Sequence, residues 1–242
     1  MKAHPCANHQ WTSKKLMAPK RFAMPKPILE GHSIYVAHQM LGFWDKGPVV
    51  RDERDGTEVV MLNPNNYADK IRIYERQVQD WFLKPARLLL DHMDFQASFV
   101  ILSICLSYLE GVEQYRRGEQ STGKTSRSFF SSSFLRVFGE KTLNENQIKD
   151  FYKQARCGLF HDGMTRSGVI AYMNLPTPIN VVSDGRNLIC FQPELLFGCV
   201  QADFDKYIKD LRSDPVFFER VPGKCPPSIL GKNFYNIYKL PE

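Results

Sequence analysis

The 242-residue sequence predicts a mainly α-helical domain: a bundle of four or five helices with a small β-hairpin inserted before the last long helix. Three observations lead there. Between residues 65 and 163 apolar side chains recur in steps of three and four, the period of a helix with one buried face. Between 168 and 191 that period gives way to short apolar segments around the turn dipeptide Asp184-Gly185. From Pro193 the helical period returns and persists to Leu211. With 43% hydrophobic and 12% aromatic residues, the chain can fill one good core.

The first expected helix starts near Asn65 and carries Ala68, Ile71, Tyr74, Val78, Trp81, Phe82, Pro85 and Leu88 along one face. Pro85 lacks a backbone donor, so a kink or break is expected there. The second helix, 94–117, is apolar nearly all round as far as Glu110, as a buried central helix must be. Its apolar run, 97–109, is too short to span a bilayer and is bounded by Asp94 and Glu110. A polar loop, 118–127, leads to a third helix, 128–138, with Phe129, Phe130, Phe134, Leu135 and Phe138. Thr142 and Glu145 have capping-box spacing, and Ile148, Phe151, Tyr152, Ala155 and Leu159 continue as a buried face towards a stop at Gly163. Strands are expected at 168–173, 179–182 and 188–191. Pro193 opens the last helix, with Leu196, Val200, Phe204, Tyr207 or Ile208, and Leu211 on one side. The main domain is thus 65–212, with the hairpin at about 168–191.

Outside it, residues 1–39 read as a flexible basic arm, 40–64 as an irregular lead-in with no clear assignment, and 213–242 as an irregular tail packing on the core. The apolar patches of the lead-in are Leu41, Phe43 and Trp44, then Val59 and Val60. Met17, Met24, Met40 and Met61 are possible initiators, which leaves open that the arm is an extension ahead of the true start. The arm holds His4, Cys6 and His9, three potential ligands without the second cluster a zinc site needs. The net charge of +6 is concentrated in the first thirty residues, which carry +5, and the body is close to neutral. RNA binding by the body therefore requires a local group of cations. Six scattered cysteines without a paired motif, and no signal-peptide pattern, point to a reducing cytoplasm.

The chemistry is concentrated in Arg156-Cys157-Gly158-Leu159-Phe160-His161, followed by Asp162-Gly163. An arginine is a fixed cation suited to a phosphodiester, and a histidine moves protons near neutral pH. In a regular α-helix five residues rotate these side chains about 140° apart, so they would converge only from the edges of a shared face. The motif, its place at the end of a capped amphipathic helix and the order of helices resemble the HEPN family, over roughly residues 65–212. That resemblance implies a HEPN-like bundle and, in many members, metal-independent RNase activity from two protomers whose motifs face one groove. It implies Arg156 holding the scissile phosphate and His161 taking the 2′-OH proton or protonating the 5′-oxygen. Glu110 and Asp162 are supporting candidates, Glu110 because it could orient the motif from across the bundle. No metal or cofactor is called for. The partners expected are RNA, a second copy of the chain and, in a defence or toxin setting, an antitoxin or regulatory protein, with no membrane. Cys157 departs from the pattern, because many active members have a polar residue directly after the arginine.

Residues 118–125 fit the Walker A pattern GxxxxGK[ST]. A P-loop needs a buried strand before it, and residues 109–117 have helical period instead. The expected structure is an interhelical loop in which Arg116, Arg117, Lys124 and Arg127 form a local phosphate-contacting patch. The sequence therefore leaves three functions in order: metal-independent endoribonuclease, non-catalytic dimerisation or nucleotide/RNA-binding module, and P-loop nucleotide hydrolase.

Overall fold

The computed structural model describes residues 34–44, 48–53, 59–64, 66–117, 119–182 and 187–213. Between positions 34 and 62, expected to be the end of an arm and an irregular lead-in, the described residues form instead a four-stranded antiparallel sheet. Its strands are β1 (Ile34–Ala37), β2 (Met40–Trp44), β3 (Pro48–Asp52) and β4 (Val60–Leu62), in the order β1-β2-β3-β4. Val36, Ala37, Met40, Val50 and Leu62 are buried with Ile73 in a small core of their own. The strands escaped the sequence reading because their inward positions are not uniformly apolar. Gly42 and Asp52 share the buried face with Met40 and Val50, while Leu41 and Phe43 lie on the less buried side.

Asp52 is accommodated by an ion-pair network. Its carboxylate accepts from Arg76 Nη1 at 2.9 Å and from Arg72 Nη2 at 2.7 Å. Arg76, 3% exposed, also donates to Asp80 and to the His38 carbonyl. This network clamps the sheet to α1 (Tyr67–Val78).

The helices occur in the expected order with shifted ends. α1 passes through a π turn, Gln79–Leu83, into α2 (Lys84–Met93). That change of hydrogen-bond register immediately precedes Pro85, where the missing donor called for a break. A short 3₁₀ turn, Asp94–Ala97, leads to α3 (Ser98–Arg117), and α4 spans Ser126–Phe138. Among the described residues one helix, Phe95–Arg117, is long and apolar enough to cross a membrane, but 56% of that window is buried inside the fold. Ile101, Leu102, Cys105, Leu106 and Leu109 are fully buried, so it is the central core helix.

α5 (Glu145–Phe151) starts later than expected. Its capping box is Asn144 with Gln147, each side chain accepting from the other's backbone N–H. Thr142 instead donates its hydroxyl to the Phe138 carbonyl. After α5 the supposed hairpin is a three-stranded mixed sheet in the order β5-β7-β6. β6 (Ile179–Val182) runs antiparallel to β7 (Leu188–Phe191), and β5 (Val169–Ala171) lies parallel to β7 on its other side. α6 (Pro193–Ser213) buries Leu196, Val200, Phe204, Tyr207, Ile208 and Leu211, the face its spacing predicts. With two sheets, the molecule is an α+β fold, not a mainly α, HEPN-like bundle with a single hairpin. The zinc-like cluster His4, Cys6 and His9, most of the arm, the Asp184-Gly185 turn and the tail beyond Ser213 lie outside the described residues.

Candidate functional site

The helix that bears the motif does not remain α-helical. After α5 it widens into two successive π turns, Tyr152–Arg156 and Gly158–Asp162, and it ends at Gly163 with φ 72°. A π turn closes from residue i to i+5, so residues five apart return towards one flank. The offset of about 140° that a regular α-helix imposes between Arg156 and His161 is reduced accordingly. Insertions of this kind recur at functional sites because they re-aim side chains at a cost in regular hydrogen bonding.

The distortion is fixed by the chain that follows it. Gly158 is buried, and a Cβ there would lie 2.7 Å from the Met164 carbonyl oxygen, 2.9 Å from Arg166 N and 3.2 Å from Thr165 Cα. Residues 164–166 therefore fold back against the bare glycine, and the Arg166 N–H donates to the Gln154 carbonyl at 2.9 Å.

Arg156 is held on three sides. Its Nε and Nη2 donate to Glu110 Oε2 at 3.1 and 2.9 Å, with the two side chains 22% and 12% exposed. Its guanidinium lies 4.7 Å from the centre of the Phe160 ring and 5.8 Å from that of Tyr152. The spacing 152-156-160 stacks aromatic, cation and aromatic along one helix flank. Nη1 makes no hydrogen bond among the described residues. Glu110 Oε1 accepts from the Ser121 hydroxyl at 2.5 Å, and the Ser121 N–H donates to Gln114 Oε1 at 2.9 Å. One carboxylate thus joins α3, the α3–α4 loop and the motif helix. Tyr152 is fixed in turn by a hydroxyl–hydroxyl contact with buried Ser126 and by Phe130, ring centre to ring centre 5.2 Å.

His161 is exposed and has no hydrogen-bond partner among the described residues. Asp162 turns away to Arg166, which donates to it at 2.6 Å and holds its carboxyl below the usual range. The expected cationic patch is divided. Lys124 and Arg127 are exposed. Arg116 lies over the Tyr207 ring at 4.2 Å and pairs with Asp203 at 3.5 Å. Arg117 pairs with Glu113 at 2.8 Å, donates to Ser132 and lies over Phe129. Arg136 completes this network by pairing with both Glu113 and Asp203, and Tyr108 donates its hydroxyl to Asp203 at 2.7 Å. Burial and the Asp203 carboxylate push the Tyr108 phenol well above its ordinary range. Arg116 and Arg117, both half-buried, thus tie α3 to α4 and α6.

The Walker-like loop follows α3, not a strand, and spends a hydroxyl on its own backbone: Thr125 Oγ1 accepts from the Thr122 N–H at 2.8 Å. Two clefts lie elsewhere. One of about 460 Å³ is lined by polar residues including Asn146, Asp150, Gln154 and Ser167. The other, of about 500 Å³, sits beside Arg72, Arg76, Lys84 and Arg212. The sequence reading missed Tyr152, Phe160 and Ser121 around Arg156. The 152-156-160 spacing was visible in the sequence, but the Ser121 contact needs the loop's path. Compared with protein-family models, curated proteins and solved structures, the chain matches none.

Proposed function

We propose that the protein is a metal-independent endoribonuclease of the HEPN type of chemistry, with Arg156 and His161 as its catalytic residues. The observation that supports this reading most is the state of Arg156. It is oriented by Glu110 and two rings, keeps Nη1 without a partner among the described residues, and shares the end of one widened helix with an exposed histidine. Nη1 would hold a non-bridging oxygen of the scissile phosphate and stabilise the charge that builds up as phosphorus becomes five-coordinate. The RNA 2′-OH attacks that phosphorus, and the P–O5′ bond breaks. His161 takes the 2′-OH proton or supplies one to the departing 5′-oxygen. A homodimer would supply a second His161 for the other half of the transfer. The products are a 2′,3′-cyclic phosphate and a 5′-hydroxyl.

The test is cleavage of single-stranded RNA in EDTA beside a matched DNA. Wild type should cut RNA alone, and His161→Ala should slow it by roughly 10²–10⁴-fold, the usual worth of general acid–base catalysis. Equal cleavage by wild type and variant would remove His161 from the mechanism. A second reading, a non-catalytic RNA-binding module, is favoured by one feature: Glu110 neutralises the arginine, while among the described residues no group hydrogen-bonds to the histidine. No cleavage by wild type, with RNA binding retained, would select it.

A further inference from the structure

We infer that Phe160 is a stacking platform for one nucleobase and that the ligand is therefore unpaired, single-stranded RNA. The inference rests on the reading above for the phosphate at Arg156, and extends it to what lies beside that phosphate. Phe160 is 49% exposed, whereas Ile148 and Phe151 earlier in the same helix are buried and Tyr152 and Leu159 are half-buried against the core. Its ring is backed by the Arg156 guanidinium, 4.7 Å from the ring centre. Arg156 cannot swing away freely, because Glu110 fixes its edge through two nitrogens. The exposed ring is therefore pre-positioned, and little further side-chain freedom is lost when a ligand covers it.

A phosphate-binding cation directly behind a half-exposed ring, with a histidine next in the chain, is the chemistry of a nucleotide. The phosphate faces the cation, and the base faces the ring. Exposed Lys124 and Arg127 follow Ser121 in the chain, and Ser121 is tied to the same Glu110. Bases in a duplex already stack on their neighbours and cannot lie on a side-chain ring, whereas unpaired bases do so without regard to sequence.

The experiment uses the full chain and a fluorescent ten-nucleotide 2′-O-methyl RNA, which cannot be cleaved because its nucleophile is blocked. Anisotropy is read for wild type, Phe160→Ala, Phe160→Leu and Phe160→Trp, with melting temperature and light scattering as controls. Loss of one base–aromatic stack should weaken binding roughly 5- to 150-fold in the Ala and Leu variants, while Trp retains it. A duplex of the same length should bind wild type no better than the single strand binds Phe160→Ala. Leu binding as tightly as wild type would show a merely apolar contact and overturn the inference. So would a duplex binding as tightly as the single strand, a wild type that fails to bind the probe, or a Phe160→Ala variant that changes oligomeric state but not RNA affinity. Because the probe is inert, loss of cleavage in the nuclease assay with the stacking pattern intact sinks the enzymatic reading alone. Normal cleavage with no Phe160 dependence of binding sinks the stacking inference alone.

Discussion

Substituting Gly158 by alanine should destabilise the protein, although the residue lies inside a helix. In an open helical position the change from glycine to alanine is favourable by about 0.5–1 kcal/mol. At Gly158 the new methyl meets three backbone atoms at 2.7, 2.9 and 3.2 Å, none of which belongs to a flexible side chain. Forcing an extra methyl into a packed position costs typically about 1–3 kcal/mol. Because the clash is with backbone at under 3 Å it should win, for a net loss of up to about 2.5 kcal/mol after the propensity gain. For a chain of this size each kcal/mol moves the melting temperature by about 2–4 °C, so a fall of several degrees is expected. Gly198 in α6 is the control: nothing lies within 4 Å of its would-be Cβ, and Gly198→Ala should hold or raise the melting temperature. Scanning fluorimetry of the two variants decides the matter. The displaced 164–166 segment would also disturb the helix end that carries His161, so RNA cleavage should fall in Gly158→Ala alone. A Gly158→Ala protein as stable as Gly198→Ala would refute the close approach of that segment and the π-turn geometry it secures.

The clamp on the first sheet gives a second outcome: Arg76→Ala leaves buried Asp52 and Asp80 short of a cation and should cost about 3–5 kcal/mol in urea unfolding. Burial alone would raise the Asp80 carboxyl, but hydrogen bonds from Lys84 and Arg76 overcome it and hold its pKa low. Its contribution is therefore present above the ordinary aspartate value of about 3.9 and is lost as pH falls through the lower folded value, and Asp80→Asn should flatten that acid limb of stability. A chain beginning at Met40 lacks Val36 and Ala37, both fully buried, and should melt lower than one beginning at residue 34. Equal melting would place β1 outside the stable fold. Lys124→Ala should leave cleavage within a few-fold, with no saturable Mg²⁺-dependent ATP binding by wild type or variant. Light scattering over a concentration series should show a dimer, and a monomer at high concentration would count against a site shared between two copies.

What the sequence made legible was the periodic part. The buried face of α6, the core character of α3 and the stop at Gly163 followed from spacing and from the special backbone of one glycine. The first sheet was illegible for a local reason: in strands of three to five residues, an inward Gly42 and an inward Asp52 erase the alternation that marks a strand. Asp52 becomes intelligible only with Arg76, 24 positions away. Likewise, Glu110 could be suspected of reaching Arg156, but the arginine's flanking rings and the Ser121 link depend on loop geometry that periodicity does not encode. The π turns carry no compositional mark, although the i,i+5 placement of Arg156 and His161 is the spacing such turns bring together.

The measurement that bears most directly on the central claim is the identity of the cut ends together with the effect of one missing hydroxyl. A short RNA with a single preferred cleavage position is treated with wild type in EDTA, and its products are resolved by mass. The same RNA carrying 2′-deoxyribose immediately 5′ of that phosphate is treated in parallel. The mechanism predicts a 2′,3′-cyclic phosphate and a 5′-hydroxyl from the first substrate, no cleavage at that position in the second, and loss of the products in both Arg156→Ala and His161→Ala, the latter at unchanged melting temperature because His161 is exposed. A 5′-phosphate product, or cleavage of the deoxy-substituted position at the normal rate, would contradict it.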